Sequence, residues 1–199
     1  MRAWLNLLRR RVVNALLFRR VSGERSQGRW LPNTRISPST CIESASRLTL
    51  ADHVYIGPFN WIEASGGVTI DEGVQITSHV VITTHSSHRA MRLLGREYVL
   101  WAGDKPGWIS GPVHIGAYSF IGPHSLIEAN SRLGRGTLVC AGSFVRGEFP
   151  DFCVLEGRPA RVVGDTRRSD EALLAALIET HPELRAHRAL WADAGRVEK

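Results

Sequence analysis

The chain has 199 residues, 43% of them hydrophobic and 22% charged, with 19 glycines. That composition fits one folded domain with a substantial core and excludes a disordered chain. The formal net charge of +6 is local: residues 1–35 hold nine arginines against one acid, Glu24, so the rest of the chain is slightly negative. Basicity confined to an arm argues against a general nucleic-acid binder, whose cations should line the folded surface. Cys41, Cys140 and Cys153 show no CxxC spacing, which excludes a disulfide framework or a structural zinc site and suits reduced thiols in a cytoplasm. No apolar run approaches the roughly 20 residues that span a bilayer. Arginines interrupt the first apolar stretch and no small-residue cleavage site follows, so it does not read as a signal peptide.

In chain order, residues 1–35 form a basic arm. Trp4, Leu5, Leu8, Val12, Leu16 and Leu17 recur at helical spacing and predict a short amphipathic helix. From Ile36 the chain divides into sixes that open on an aliphatic residue: Ile36, Ile42, then Leu50, Ile56 and Ile62, then Ile70, Ile76 and Ile82. Two-residue slips, Leu48-Thr49 and Val68-Thr69, separate these groups. The pattern stops over residues 86–112 and resumes at Ile115, Ile121, Ile127, Leu133, Val139 and Val145.

A period of six fits neither the heptad nor the 3.6-residue helix. It fits a β-solenoid in which each unit is one short strand and a turn, so the expected class is an all-β solenoid over residues 36–163. The opening aliphatic residue points into the shaft and the small fifth residue shares the interior. The segment 86–112 is an excursion loop, and long excursions of this kind are usually functional. Residues 164–199 form a C-terminal helical extension. There Ser169 followed by Asp170 and Glu171 predicts a helix start, and Pro182 predicts a kink or a second short helix.

The repeats over residues 36–163 resemble the hexapeptide-repeat acyltransferases, in particular the branch of maltose, galactoside and xenobiotic acetyltransferases. That resemblance implies a left-handed parallel β-helix with three hexapeptides per coil, assembled as a homotrimer. The hand comes from the resemblance alone, since the rule for parallel crossovers favours the right hand.

The same branch places a histidine as general base where the shaft gives way to its loop, which here is His85 in Ile82-Thr-Thr-His85. An imidazole, whose ordinary pKa is about 6.5, suits proton removal from a hydroxyl that attacks a thioester. His88, inside the loop, is expected to contact substrate or to be a solvated loop residue. Asn60 in Phe59-Asn60 resembles the branch's acceptor-binding asparagine, the alternative being an asparagine ladder inside the shaft; the acceptor contact is the reading taken. Trp101 and Trp108 either line the sugar or adenine site or pack the loop against a neighbouring subunit, and Trp101 is taken as the substrate contact. The acceptor-binding aspartate of the family's N-terminal region has no counterpart before Glu24.

The resemblance extends to the donor, acetyl-CoA. Ala141-Gly142-Ser143 resembles the small-residue unit that supports the pantetheine arm, where a missing side chain lets a ligand approach the backbone. Arg158 and Arg161, in Gly157-Arg158-Pro159-Ala160-Arg161, resemble the family's terminal basic segment. Arg146 precedes Gly147, which stands where a lysine is usual, and these three arginines are expected to meet CoA phosphate. No metal is expected, because the solenoid histidines lack the His-x4-His spacing of the related zinc carbonic anhydrases.

The expected activity is acetyl-CoA-dependent O-acetylation of a sugar hydroxyl in cell-surface polysaccharide biosynthesis. The acceptor is a small or lipid-linked sugar, and residues 1–20 are a possible contact with an anionic membrane. The alternatives are N-acetylation of an amino sugar or antibiotic, and a non-catalytic solenoid scaffold.

Overall fold

A computed structural model describes residues 2–18 and 21–186. Positions 1, 19 and 20 of the basic arm and 187–199 of the C-terminal extension lie outside the described residues. The body is a three-faced coil of short parallel strands. On the first face Arg35–Ile36, Tyr55–Ile56, Gln75–Ile76, Phe120–Ile121 and Leu138–Val139 stack in register, followed by Cys153–Gly157. The second face stacks Cys41–Glu43, Trp61–Glu63, Val81–Ile82, Leu126–Ile127 and Phe144–Val145. The third stacks Leu48–Leu50, Val68–Ile70, Val113–Ile115, Arg132–Leu133 and Glu148–Phe149.

The six-residue reading explains the interior. Ile56, Ile62, Ile70, Ile76, Ile82, Ile115, Ile121 and Ile127 are completely buried and form the shaft's ladders. Each such side chain contributes about 2 kcal/mol by leaving water. Fifth positions also point inward: Val54, Val74 and Val80 in the lower coils, Ser119, Ser125, Thr137 and Ser143 in the upper ones. The buried hydroxyls bond main-chain carbonyls, as Ser125 Oγ does to Cys140 O at 3.2 Å, so the upper shaft hides polar atoms without leaving them unpaired. The slips do not interrupt the coil. They lengthen the third-face strands to three residues, and Leu48 with Leu50, then Val68 with Ile70, both point inward.

The N-terminal region holds helix α1 (Arg2–Leu17) and a hairpin of Glu24–Ser26 with Arg29–Leu31. The hairpin closes the lower end of the shaft. Leu31 is buried, and Ser26 Oγ accepts from Leu50 N at 2.8 Å and donates to Leu48 O at 3.3 Å.

After Ile82 the chain leaves the coil through helix α2 (His88–Leu94), anchored by the fully buried Ala90. His85–Ser86 pairs antiparallel with Ile109–Ser110, and the shaft resumes at Val113. At the top, Cys153–Gly157 turns back on Ala160–Asp165 before helix α3 (Thr166–Thr180). That helix begins ahead of the expected Ser169, because the Asp165 carboxylate takes the cap by accepting from Arg167 N at 2.9 Å. The helix ends before Pro182, which opens a short 3-10 turn. Among the described residues no helix is long and apolar enough to cross a membrane.

Candidate active site

His85 stands where the second face ends and the excursion begins, on the short strand that pins the loop's two ends together. Its Nδ1 lies 2.8 Å from Glu63 Oε2 and 3.2 Å from Ser65 Oγ, both on the coil below. An ionised carboxylate can only accept, so the Nδ1 proton faces Glu63 and Nε2 is left as the ring's basic atom. The imidazole is about one-third exposed, whereas Glu63 is 6% exposed.

Three further bonds hold that carboxylate. Glu63 Oε1 accepts from Ser65 N at 2.7 Å, and Oε2 accepts from Thr84 N at 3.0 Å and Thr84 Oγ1 at 2.7 Å. Burial pushes the Glu63 pKa up, but the hydrogen bonds from Ser65 and Thr84 together outweigh it and hold the group at about 2. The close approach of the two coils depends on Gly66, where a Cβ would sit 2.8 Å from Thr84 Cβ.

The excursion returns over this dyad. The Trp108 ring stacks on His85 with centroids 4.9 Å apart and planes 8° from parallel, fixing the imidazole between a carboxylate edge and an aromatic face. Trp101, the expected substrate contact, is exposed and donates its indole N–H to Asp104 O at 3.2 Å within the loop. His88 is exposed at the start of α2, with Nδ1 2.6 Å from Ser86 Oγ.

Asn60 corrects the sequence reading. Its side chain is 2% exposed and faces the shaft, with Nδ2 donating to Gly57 O and Thr77 O at 2.9 Å each and Oδ1 accepting from Val80 N at 2.7 Å. Both amide protons are committed to the corner's backbone, so Asn60 staples two coils and leaves the list of acceptor contacts. Asn60→Ala is expected to cost about 1–3 kcal/mol of stability by stranding these groups. A melting curve checks this, and acceptor KM should stay unchanged in whatever fraction remains folded.

The expected donor residues gather only in part. A groove of about 540 Å³ crosses the outer side of the second face, floored by Val81, Leu126 and Phe144 and reaching Ser143, Arg158 and Pro159. Ser143 is buried, its hydroxyl donating to Cys140 O at 2.7 Å, so any contact it makes with a ligand is through the backbone. Gly142 has φ +73, a conformation glycine adopts freely, and its carbonyl accepts from Arg158 Nε. Ala141 is exposed beside it. Arg146 pairs with Glu128 at 3.4 Å and Arg161 donates to Ala160 O at 3.0 Å; neither lines the groove.

Two groove residues were not legible in sequence, His79 and His124. Their rings stack 4.9 Å apart at the corner and continue a ladder through Phe59 to Phe18. Among the described residues no cluster of His, Cys, Asp or Glu could hold a metal ion.

No protein-family model matches the chain. It is 26% identical to galactoside O-acetyltransferase of Escherichia coli K12 over 141 residues, which are 70% of this chain and 64% of that protein. The chain spans less than two thirds of the length of the curated relatives it first matches. In fold it is similar to the hexapeptide-repeat-containing acetyltransferase VCA0836 of Vibrio cholerae, with TM-score 0.56, 21% identity and coverage of 66% of this chain and 69% of that one. It is also similar to AntD, an N-acyltransferase of Bacillus cereus solved with dTDP and coenzyme A, with TM-score 0.54, 22% identity and coverage of 74% and 89%. The fold is the left-handed parallel β-helix of these proteins, with short helices at its two ends.

Proposed function

We propose that this chain, whose relatives and structural neighbours are hexapeptide-repeat acetyltransferases, transfers an acetyl group from acetyl-CoA to a sugar hydroxyl. The observation that carries the reading is the Glu63–His85 dyad, a buried anion 2.8 Å from a partly exposed imidazole. His85 Nε2 takes the hydroxyl proton as the oxygen attacks the thioester carbonyl. The C–S bond then breaks, and the imidazolium returns the proton to the departing thiolate. Glu63 stabilises the imidazolium formed in between, and Trp108 keeps the ring in plane.

The donor is read from the groove. Its apolar floor suits a pantetheine arm, and Arg158 at its upper end suits a phosphate. The galactoside acetyltransferase among the structural neighbours was solved with coenzyme A, and the acceptor class follows the name of this chain's curated relative, galactoside O-acetyltransferase. We further propose a homotrimer. The second face carries outward Cys41, Trp61, Val81, Leu126 and Phe144, and the first mixes Tyr55, Phe120 and Leu138 with Arg35 and Gln75. The third carries Thr49, Thr69, His114, Arg132 and Glu148, so the second face is the one best suited to burial and the third to water.

The test is thiol release from acetyl-CoA with a panel of hexosides and amino sugars, followed by mild alkali on the product. Acceptor-dependent release with alkali-labile acetyl supports O-acetylation. Alkali-stable acetyl would assign an amine acceptor, and no acceptor-dependent release from any sugar would contradict the reading.

A further inference from the structure

Helix α1 makes no use of its apolar residues within the chain. None of its 16 residues is buried, and Trp4 and Leu16 are 63% and 68% exposed. At about 100° per residue, Trp4, Leu5, Leu8, Val12, Ala15 and Leu16 fill one arc roughly 120° wide, while Leu7, Val13 and Leu17, the last of which the sequence reading placed on this face, lie outside it. Arg11 borders one edge of that arc, Arg2 and Arg9 border the other, and the helix contains no acid. We infer that α1 is a docking surface for an anionic lipid layer, lying flat with its apolar arc in the headgroup boundary and its bordering guanidiniums on lipid phosphates.

Charge complementarity selects this occupant over a second copy of the chain. A second α1 packed on the first would bring the same three bordering arginines, and Arg10, with no acid to pair them, and the chain outside residues 1–35 carries only a small negative excess. A lipid layer supplies both an apolar medium for the arc and fixed anions along both edges. The helix is followed by Phe18, whose ring meets Phe59 at 5.3 Å, and Phe59 lies against the groove-lining His79 with ring centroids 5.1 Å apart. Lipid contact would therefore hold the groove's corner close to the membrane plane. The inference does not depend on the reaction proposed above.

Sedimentation of the full chain with vesicles tests it, comparing phosphatidylcholine alone with phosphatidylcholine containing phosphatidylglycerol. Retention is expected only on the anionic vesicles, and it should weaken as salt is raised. Arg9→Gln and Arg11→Gln should each lower the partition coefficient roughly fivefold, and Leu8→Asn should lower it without changing the melting temperature. Absent retention on anionic vesicles, or equal retention on neutral ones, would overturn the inference. So would a Leu8→Asn variant that keeps its lipid retention but changes its mass in light scattering, because the arc would then be covered by another copy.

Discussion

His85→Ala is expected to lower kcat for acetyl transfer by roughly 10²–10⁴ while leaving acetyl-CoA affinity nearly unchanged. The reason is geometric. The imidazole is anchored at Nδ1 and by ring stacking, so its only free function is the basic Nε2. Its removal leaves Glu63 bonded to Ser65 and Thr84, so the coils beneath should stay intact. Steady-state kinetics with a melting curve separates the outcomes. Retained activity in a folded His85→Ala protein would move the base elsewhere, with His88 the next histidine along the chain.

Glu63→Gln carries the second large effect, in two measurements. The imidazolium formed during transfer would face a neutral amide, and kcat should fall roughly 10²-fold, with partial recovery in Glu63→Asp. Stability should change as well. The carboxyl sits at about 2, below its ordinary 4.5, so the folded state favours its ionised form. That stabilisation is complete above the unfolded carboxyl range and is lost as pH falls from about 5 towards 2. The gap corresponds to roughly 3 kcal/mol at neutral pH. Melting temperature against pH should therefore fall through this window in the native chain and run flatter in Glu63→Gln. A native-like slope in the variant would assign the acid sensitivity to other carboxyls.

The shaft was legible because a six-residue period leaves few architectures open, and the register of Ile82 on Ile62 and Ile127 is the one the hexads imply. His85 stands out in the sequence because it marks the exit from that pattern, and its role as base is the proposal made above. Its partner does not stand out. Glu63 lies one coil below, and an acid after the opening aliphatic residue looks like any turn residue, as it does in Ile127-Glu128. The available signal was the slip at Val68-Thr69, which sets the offset that brings Glu63 and Ser65 beneath Thr84 and His85.

Asn60 was misread against the pattern's own logic. Fifth positions face inward at Val54, Val74 and Val80, and an amide there satisfies corner backbone groups that valine cannot. The choice of Trp101 over Trp108 had no basis in sequence, since both lie in an aperiodic loop. Only the antiparallel pairing of Ser86 with Ile109 decides which indole returns to His85. The start of α3 shifted for a comparable reason: the last strand extends to Asp165, and its carboxylate caps the helix before Ser169 is reached. Handedness was carried by the family resemblance alone.

The central claim, that the groove ending at Arg158 takes acetyl-CoA for a reaction run by His85, is tested most directly by calorimetric titration of acetyl-CoA and dephospho-CoA into the native chain and His85→Ala. The account predicts binding in the micromolar range that survives in His85→Ala and weakens when the 3′-phosphate is missing. No heat of binding at millimolar acetyl-CoA in the folded native chain would contradict it.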